Sequence, residues 1–154
     1  MATVYSVQKT KWNQNVPSEM VKTNEQGGRI RVAHGVYEAS ALASGDVIEM
    51  FNIPNNARLL EGSLAHDALG GSTTLSVGYA AHTDSADSAV SASAAAYKAA
   101  AASTSAQKVE ILATLALGSG SEVDADKDGL PVTVTMGGAA GTGTIELTIK
   151  YVVD

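Results

Sequence analysis

The 154-residue chain has the length of one domain, which would bury roughly 70% of the surface that its unfolded form exposes. Hydrophobic residues make up 45%, but much of that is alanine, with one Phe, one Trp, five Tyr and four Met, so Val, Leu and Ile must supply the core. Ten basic against sixteen acidic side chains give a net charge of −6, and no Lys or Arg run is interleaved with aromatics, which argues against a nucleic-acid partner. The absence of cysteine excludes disulfides, thiolate zinc sites and cysteine nucleophiles.

Residues 1–28 are polar and irregular, carry Lys9, Lys11 and Lys22, and end in Gly27-Gly28. This composition reads as an arm, in which Val4-Tyr5-Ser6-Val7 has the makings of one short strand. Trp12 stands beside Asn13, Gln14 and Asn15, where no local core covers it, and an amphipathic ring so placed wants a partner surface. The N-terminus has no charged start followed by an apolar stretch, and nowhere do 18 apolar residues run together. A protein made soluble, without signal peptide or membrane partner, is the expectation.

From Arg29 the pattern becomes two-residue: Ile30, Val32 and Val36 alternate with Arg29, Arg31 and Ala33, as in a half-buried antiparallel strand with the aliphatic set inward. After the turn Ser44-Gly45-Asp46, the β-formers Val47 to Ile53 make a second strand that stops at Pro54-Asn55-Asn56. Residues 57–65 and 73–79 follow as strands, joined at Gly70-Gly71 and expected to pair. Later strands are read over residues 109–116, 131–136 and 142–153. The last has Ile145, Leu147, Ile149 and Tyr151 on one face, the strongest strand pattern in the chain, and Gly137 to Gly143 reads as the hairpin leading into it.

Residues 85–106 differ in kind, with eleven alanines and six serines among 22 residues. Asp84 and Asp87 suit the N-cap of an alanine helix with Val90 and Tyr97 on one face; the alternative is a low-complexity surface loop. Seven short strands separated by turn residues, without helix–strand alternation, give a mainly β fold. The architecture expected is an antiparallel, jelly-roll-like β-sandwich over 29–154, with the N-terminal arm of residues 1–28 and the Ala-rich insertion at 85–106.

Catalytic and metal signals are thin. His34, His66 and His82 lie at or near strand ends, two of them close to Asp67 and Asp84, yet no G-x-S-x-G elbow accompanies them. A hydrolase built on His66 or His82 is the weakest of three function classes. Asp124, Asp126 and Asp128, followed by Gly129, match the opening of a calcium loop, but Thr135 stands where the bidentate Glu belongs and a strand follows instead of a helix. A plain acidic turn, with Gly129 at positive φ, is the competing reading. The glycines at 137–143 lack the Lys and helix of a phosphate loop, and no cofactor is expected.

The segments 45–59 (GDVIEMFNIPNNARL), 74–79 (TLSVGY) and 141–147 (GTGTIEL) together resemble a group of small virion proteins of tailed bacteriophages, over about residues 29–152. The resemblance implies a capsid decoration or cement protein, synthesised in the host cytoplasm, that sits on the outer capsid surface and braces the shell. Its implied partners are the major capsid protein and itself, as a homotrimer. Within that implication, Tyr5, Trp12, Val16, Arg29 and Arg31 are the expected contact residues. The rival within the same setting is a head-fibre or tail-associated module that presents loops to a cell-surface glycan or receptor. The Tyr and Trp residues are scattered along the chain and form no cluster in sequence for such a ligand.

Overall fold

A computed structural model describes residues 3–14 and 16–153. Eight long strands form two four-stranded antiparallel sheets. One sheet has the order β1 (Ile30–Leu42), β10 (Gly141–Val152), β3 (Arg58–His66), β8 (Gln107–Ile111); the other runs β2 (Val47–Ile53), β9 (Leu130–Gly138), β4 (Thr73–Tyr79), β7 (Ser93–Ala102). A two-stranded flap, β5 (His82–Thr83) with β6 (Ala89–Val90), interrupts the link from β4 to β7. This strand order is a jelly roll, in which most connections carry the chain from one sheet to the other. Among the described residues no helix is long and apolar enough to cross a membrane.

The core lies between the sheets. Leu59 and Leu64 on β3, Ile145, Leu147 and Ile149 on β10, and Ile111 on β8 face Ile53, Leu75, Val77, Val132, Val134 and Met136 from the other sheet. On β3, Leu59 and Leu64 point inward although five positions apart, because a bulge at Leu60 shifts the register against β10 between Lys150 and Tyr151.

Two expected pairings are corrected by this topology. Strands β3 and β4 lie in different sheets, and so do β9 and β10, so residues 137–143 cross the edge of the sandwich and are not a hairpin. Gly and Pro punctuation marks where the chain turns but not which sheet it turns into. The expected strand at 109–116 begins at Gln107 and ends at Ile111; a 3-10 turn, Leu115–Leu117, follows, with the Thr114 hydroxyl accepting from the Leu117 N–H.

The Ala-rich segment is extended, not helical. Its strand β7 pairs with β4, opposing Thr74 with Ala102 and Val77 with Lys98, and buries Tyr97. An isolated alanine helix would bury little apolar area, whereas β7 satisfies the open backbone edge of β4 along its length; tertiary hydrogen bonding overrides helix propensity. Asp84 caps no helix: its Oδ1 accepts from the Ala86 and Ser88 N–H groups in the β5–β6 turn. The region around Val4–Val7 is also not a strand, since a helix α1 (Val7–Gln14) starts there, opened by Ser6 Oγ accepting from the Lys9 N–H.

A further correction concerns β1. Its aliphatic set Ile30, Val32 and Val36 is exposed, and the partly or fully buried positions are Ala33, Gly35, Ala39 and, at the end of the strand, Leu42. A side chain on Gly35 would meet the Met50 carbonyl oxygen at 3.0 Å and the Phe51 ring at 3.3 Å, so the middle of the inner face is closely packed at Gly35. Ile30, Val32 and Val36 face out.

Candidate assembly surface

The segment before β1 joins the body through a small polar clip. Arg58 on β3 contacts Glu25 at 3.8 Å and Glu122 at 3.2 Å, and Lys22 Nζ lies 2.8 Å from Glu122. Gln8 Nε2 donates to Glu25 at 3.2 Å, and the buried Asn24 donates through Nδ2 to the Asn56 carbonyl. The Gln8 hydrogen bond, the Lys22 N–H and the nearby cations hold the Glu25 carboxyl below the usual carboxylate range, against some desolvation. Partly exposed pairs of this kind are each worth about 0.2–1 kcal/mol, so the clip fixes a direction more than it adds stability.

Before the clip, apolar side chains stand in solvent. Trp12 is 62% exposed, and Val4, Tyr5, Val7, Val16 and Met20 are exposed with it; α1 buries nothing. The structure brings Trp12 beside Lys11, Met20 and Val21 around a cleft of about 390 Å³, while Tyr5 and Val16 lie outside that cleft. Arg29 and Arg31 are exposed at the start of β1, beyond the clip. Sequence reading singled out Tyr5, Trp12, Val16, Arg29 and Arg31; the structure adds Met20, Ile30, Val32 and Val36 as exposed apolar side chains.

The outer face of the β1 sheet is polar beyond that aliphatic edge. Thr148 Oγ1 meets His34 Nδ1 at 2.9 Å, Thr144 donates to Glu38 at 3.0 Å, and Lys150 pairs with Glu61 at 2.6 Å. Asp67 accepts from the Thr144 N–H, which holds its carboxyl below the usual range, and the buried His66 is bound through Nδ1 to the Asp67 carbonyl.

The calcium-like turn sends its carboxylates in different directions. Asp124 Oδ1 accepts from the Ser85 N–H of the flap, Asp126 Oδ1 accepts from the Asp128 N–H, and Asp128 holds Lys127. Gly129 has φ +80° there, and a side chain on it would lie 2.7 Å from the Ile53 carbonyl oxygen. Among the described residues no group of three or more His, Asp or Glu is placed to hold a metal ion.

At the same end of the sandwich the fold gathers aromatics that the sequence scatters. His82 packs edge-on against Tyr79 with ring centroids 5.4 Å apart, and Tyr97 lies 6.0 Å from Tyr79. They line a recess of about 390 Å³ with Val90, Leu115 and the carboxylates of Asp84, Glu122 and Asp124. Tyr97 is buried, which pushes its phenol well above the ordinary range, and its hydroxyl makes no protein hydrogen bond among the described residues.

No protein-family model and no curated protein matches the sequence. Solved structures do. A chain in the capsid of Ralstonia phage GP4 aligns with a TM-score of 0.62 and 25% identity, over 82% of this chain and 86% of that one. The fold is one that occurs in a phage capsid. A chain of the cyanophage Pam1 capsid asymmetric unit aligns over the same shares, with a TM-score of 0.60 and 20% identity. The resemblance to virion proteins read from sequence therefore holds at the level of the fold, over 82% of the chain.

Proposed function

We propose that this chain is a virion structural protein that binds the outer surface of a phage capsid as a decoration or cement protein, and that residues 1–28 are its attachment arm. One observation carries the reading: a rigid jelly roll presents, through the polar clip at Lys22–Glu25, a short helix whose large apolar side chains are all in solvent. Exposed Trp and Met beside a cleft are what an interface anchor needs, since a few buried aromatics carry most of the energy of a contact. The similarity to capsid chains supplies the setting. Self-association, as a homotrimer in this reading, gives the body several arms at once and multiplies a weak single contact.

Deleting residues 2–20 removes the Gln8 hydrogen bond but keeps the Lys22, Asn24 and Glu25 contacts of the clip and every strand of the sandwich. The truncated protein should keep its thermal unfolding transition and lose occupancy on undecorated heads, measured by co-sedimentation. Trp12→Ala should weaken binding by at least tenfold without shifting the transition. Undiminished binding of the truncated protein would sink the attachment role.

A further inference from the structure

Two surfaces of this molecule complement each other but cannot meet within one copy. The sheet orders put β1 and β2 on one flank of the sandwich and β8 and β7 on the opposite flank. Ile30 pairs with Val152, and Arg58 bridges to Glu122, so the start of β1 and the loop carrying Leu115 to Asp124 lie at the same end. On the β1 flank, Arg29 and Arg31 are exposed and form no ion pair among the described residues, beside the exposed Ile30 and Val32. On the other flank lies the aromatic recess of Tyr79, His82 and Tyr97 with its acidic rim.

We propose that this recess receives Arg31 of a second copy. Resting on the reading that the chain assembles with itself, the contact joins opposite flanks at one end of the sandwich. It is therefore head-to-tail, and successive copies close into a ring where the rotation between them closes and run on as a filament where it does not. The chemistry fits a guanidinium. Its aliphatic stem lies along Val90 and Leu115, and its planar head meets the Tyr79 ring and the carboxylates of Asp84 and Asp124, Glu122 being already engaged by Lys22 and Arg58. Asp84 spends Oδ1 on the Ala86 and Ser88 N–H groups, which leaves Oδ2 without a protein partner among the described residues. Leu115, 88% exposed in the single copy, would be covered by the contact. The contact would also cap the free hydrogen-bonding edge of β1, a thirteen-residue strand that would otherwise invite indiscriminate pairing.

The chain has no cysteine, so introduced thiols report the contact directly. Arg29→Cys leaves Arg31 in place, and Leu115→Cys sits on the rim of the recess. Both positions are exposed, so neither change threatens folding. Under mild oxidation each variant alone should stay unlinked, and an equimolar mixture should give a disulfide-joined pair. The doubly substituted chain should give a ladder, which ends at the size reported by light scattering where the ring closes. Adding Arg31→Glu to the Arg29→Cys variant should cut the yield at least tenfold, and Arg31→Lys should restore part of it. Efficient linking of Arg29→Cys to itself would mean a two-fold contact between β1 flanks and overturns the proposal. No linking in the mixture, in a protein that light scattering shows to be oligomeric, overturns this contact and leaves self-assembly standing. A protein that is monomeric both free and when eluted from heads, with no linking, overturns both. Saturable binding of free N-acetylglucosamine or mannose in the recess without linking would assign that surface to a glycan instead.

Discussion

Strands β1 and β10 pair residue for residue, carry the same two-residue alternation of aliphatic side chains, and do opposite things with it. In β10 the aliphatic set Ile145, Leu147 and Ile149 is fully buried, whereas in β1 Val32 is 58% exposed. The difference is position. Strand β10 is flanked by β1 and β3 and lies over the centre of the other sheet, while β1 is an edge whose inner side meets Met50 and Phe51 at close range. The same pattern therefore builds the core in one strand and an exposed apolar face in its neighbour.

That contrast sets the order of expected effects. Ile149→Ala should cost about 2–5 kcal/mol in chemical unfolding, because a buried side chain leaves a cavity that its neighbours fill poorly. Gly35→Val, on the inner face of β1, should cost about 1–3 kcal/mol by forcing Met50 and Phe51 aside. A Gly35→Val protein as stable as the parent would mean that β1 can shift away from β2. Val32→Thr, on the outer face, should change stability by less than about 0.5 kcal/mol and lower self-association instead. Equal destabilisation by Val32→Thr and Ile149→Ala would erase the distinction between the two strands.

The smallest effect concerns acid. Glu25 in the clip, Asp67 against the β10 backbone and Asp124 against the flap are all held below their ordinary values: by the Gln8 hydrogen bond, by the Thr144 N–H and by Ser85 respectively. A carboxyl depressed in the folded state binds its proton more readily unfolded, so its contribution is whole above about pH 5 and fades as pH falls through the folded value. Proteolysis of residues before Lys22 should therefore rise as the solution is taken below about pH 4, with the core still protected. Replacing Gln8 with Ala should move that onset upward, and an onset independent of Gln8 would show that the clip does not restrain the segment.

The rest of the sandwich was partly legible in advance. The strands at Val47–Ile53 and Thr73–Tyr79 were read to the residue because turn chemistry at Gly45 and Pro54 brackets the first and Gly70-Gly71 opens the second, each an uninterrupted β-forming run. The alanine-rich stretch misled because its local preference is helical and its fate was decided by the open edge of β4. The aromatic recess was invisible for a related reason: Tyr79, His82 and Tyr97 come together only when β4, the flap and β7 are folded against one another. Trp12 needed no fold to be noticed, since a lone large ring among asparagines has nothing nearby to bury it.

By itself, then, the sequence determined that the chain makes a β-sandwich with a polar N-terminal segment, because composition and alternation are local properties that survive any arrangement of strands. Which face of β1 is inside, which strands are partners, and where the free arginines lie relative to the acidic aromatic recess were decided only in three dimensions. Alternation names two faces of a strand without saying which is buried. That choice belongs to the neighbour across the core, here Met50 and Phe51 standing too close to Gly35 for any larger residue to turn inward.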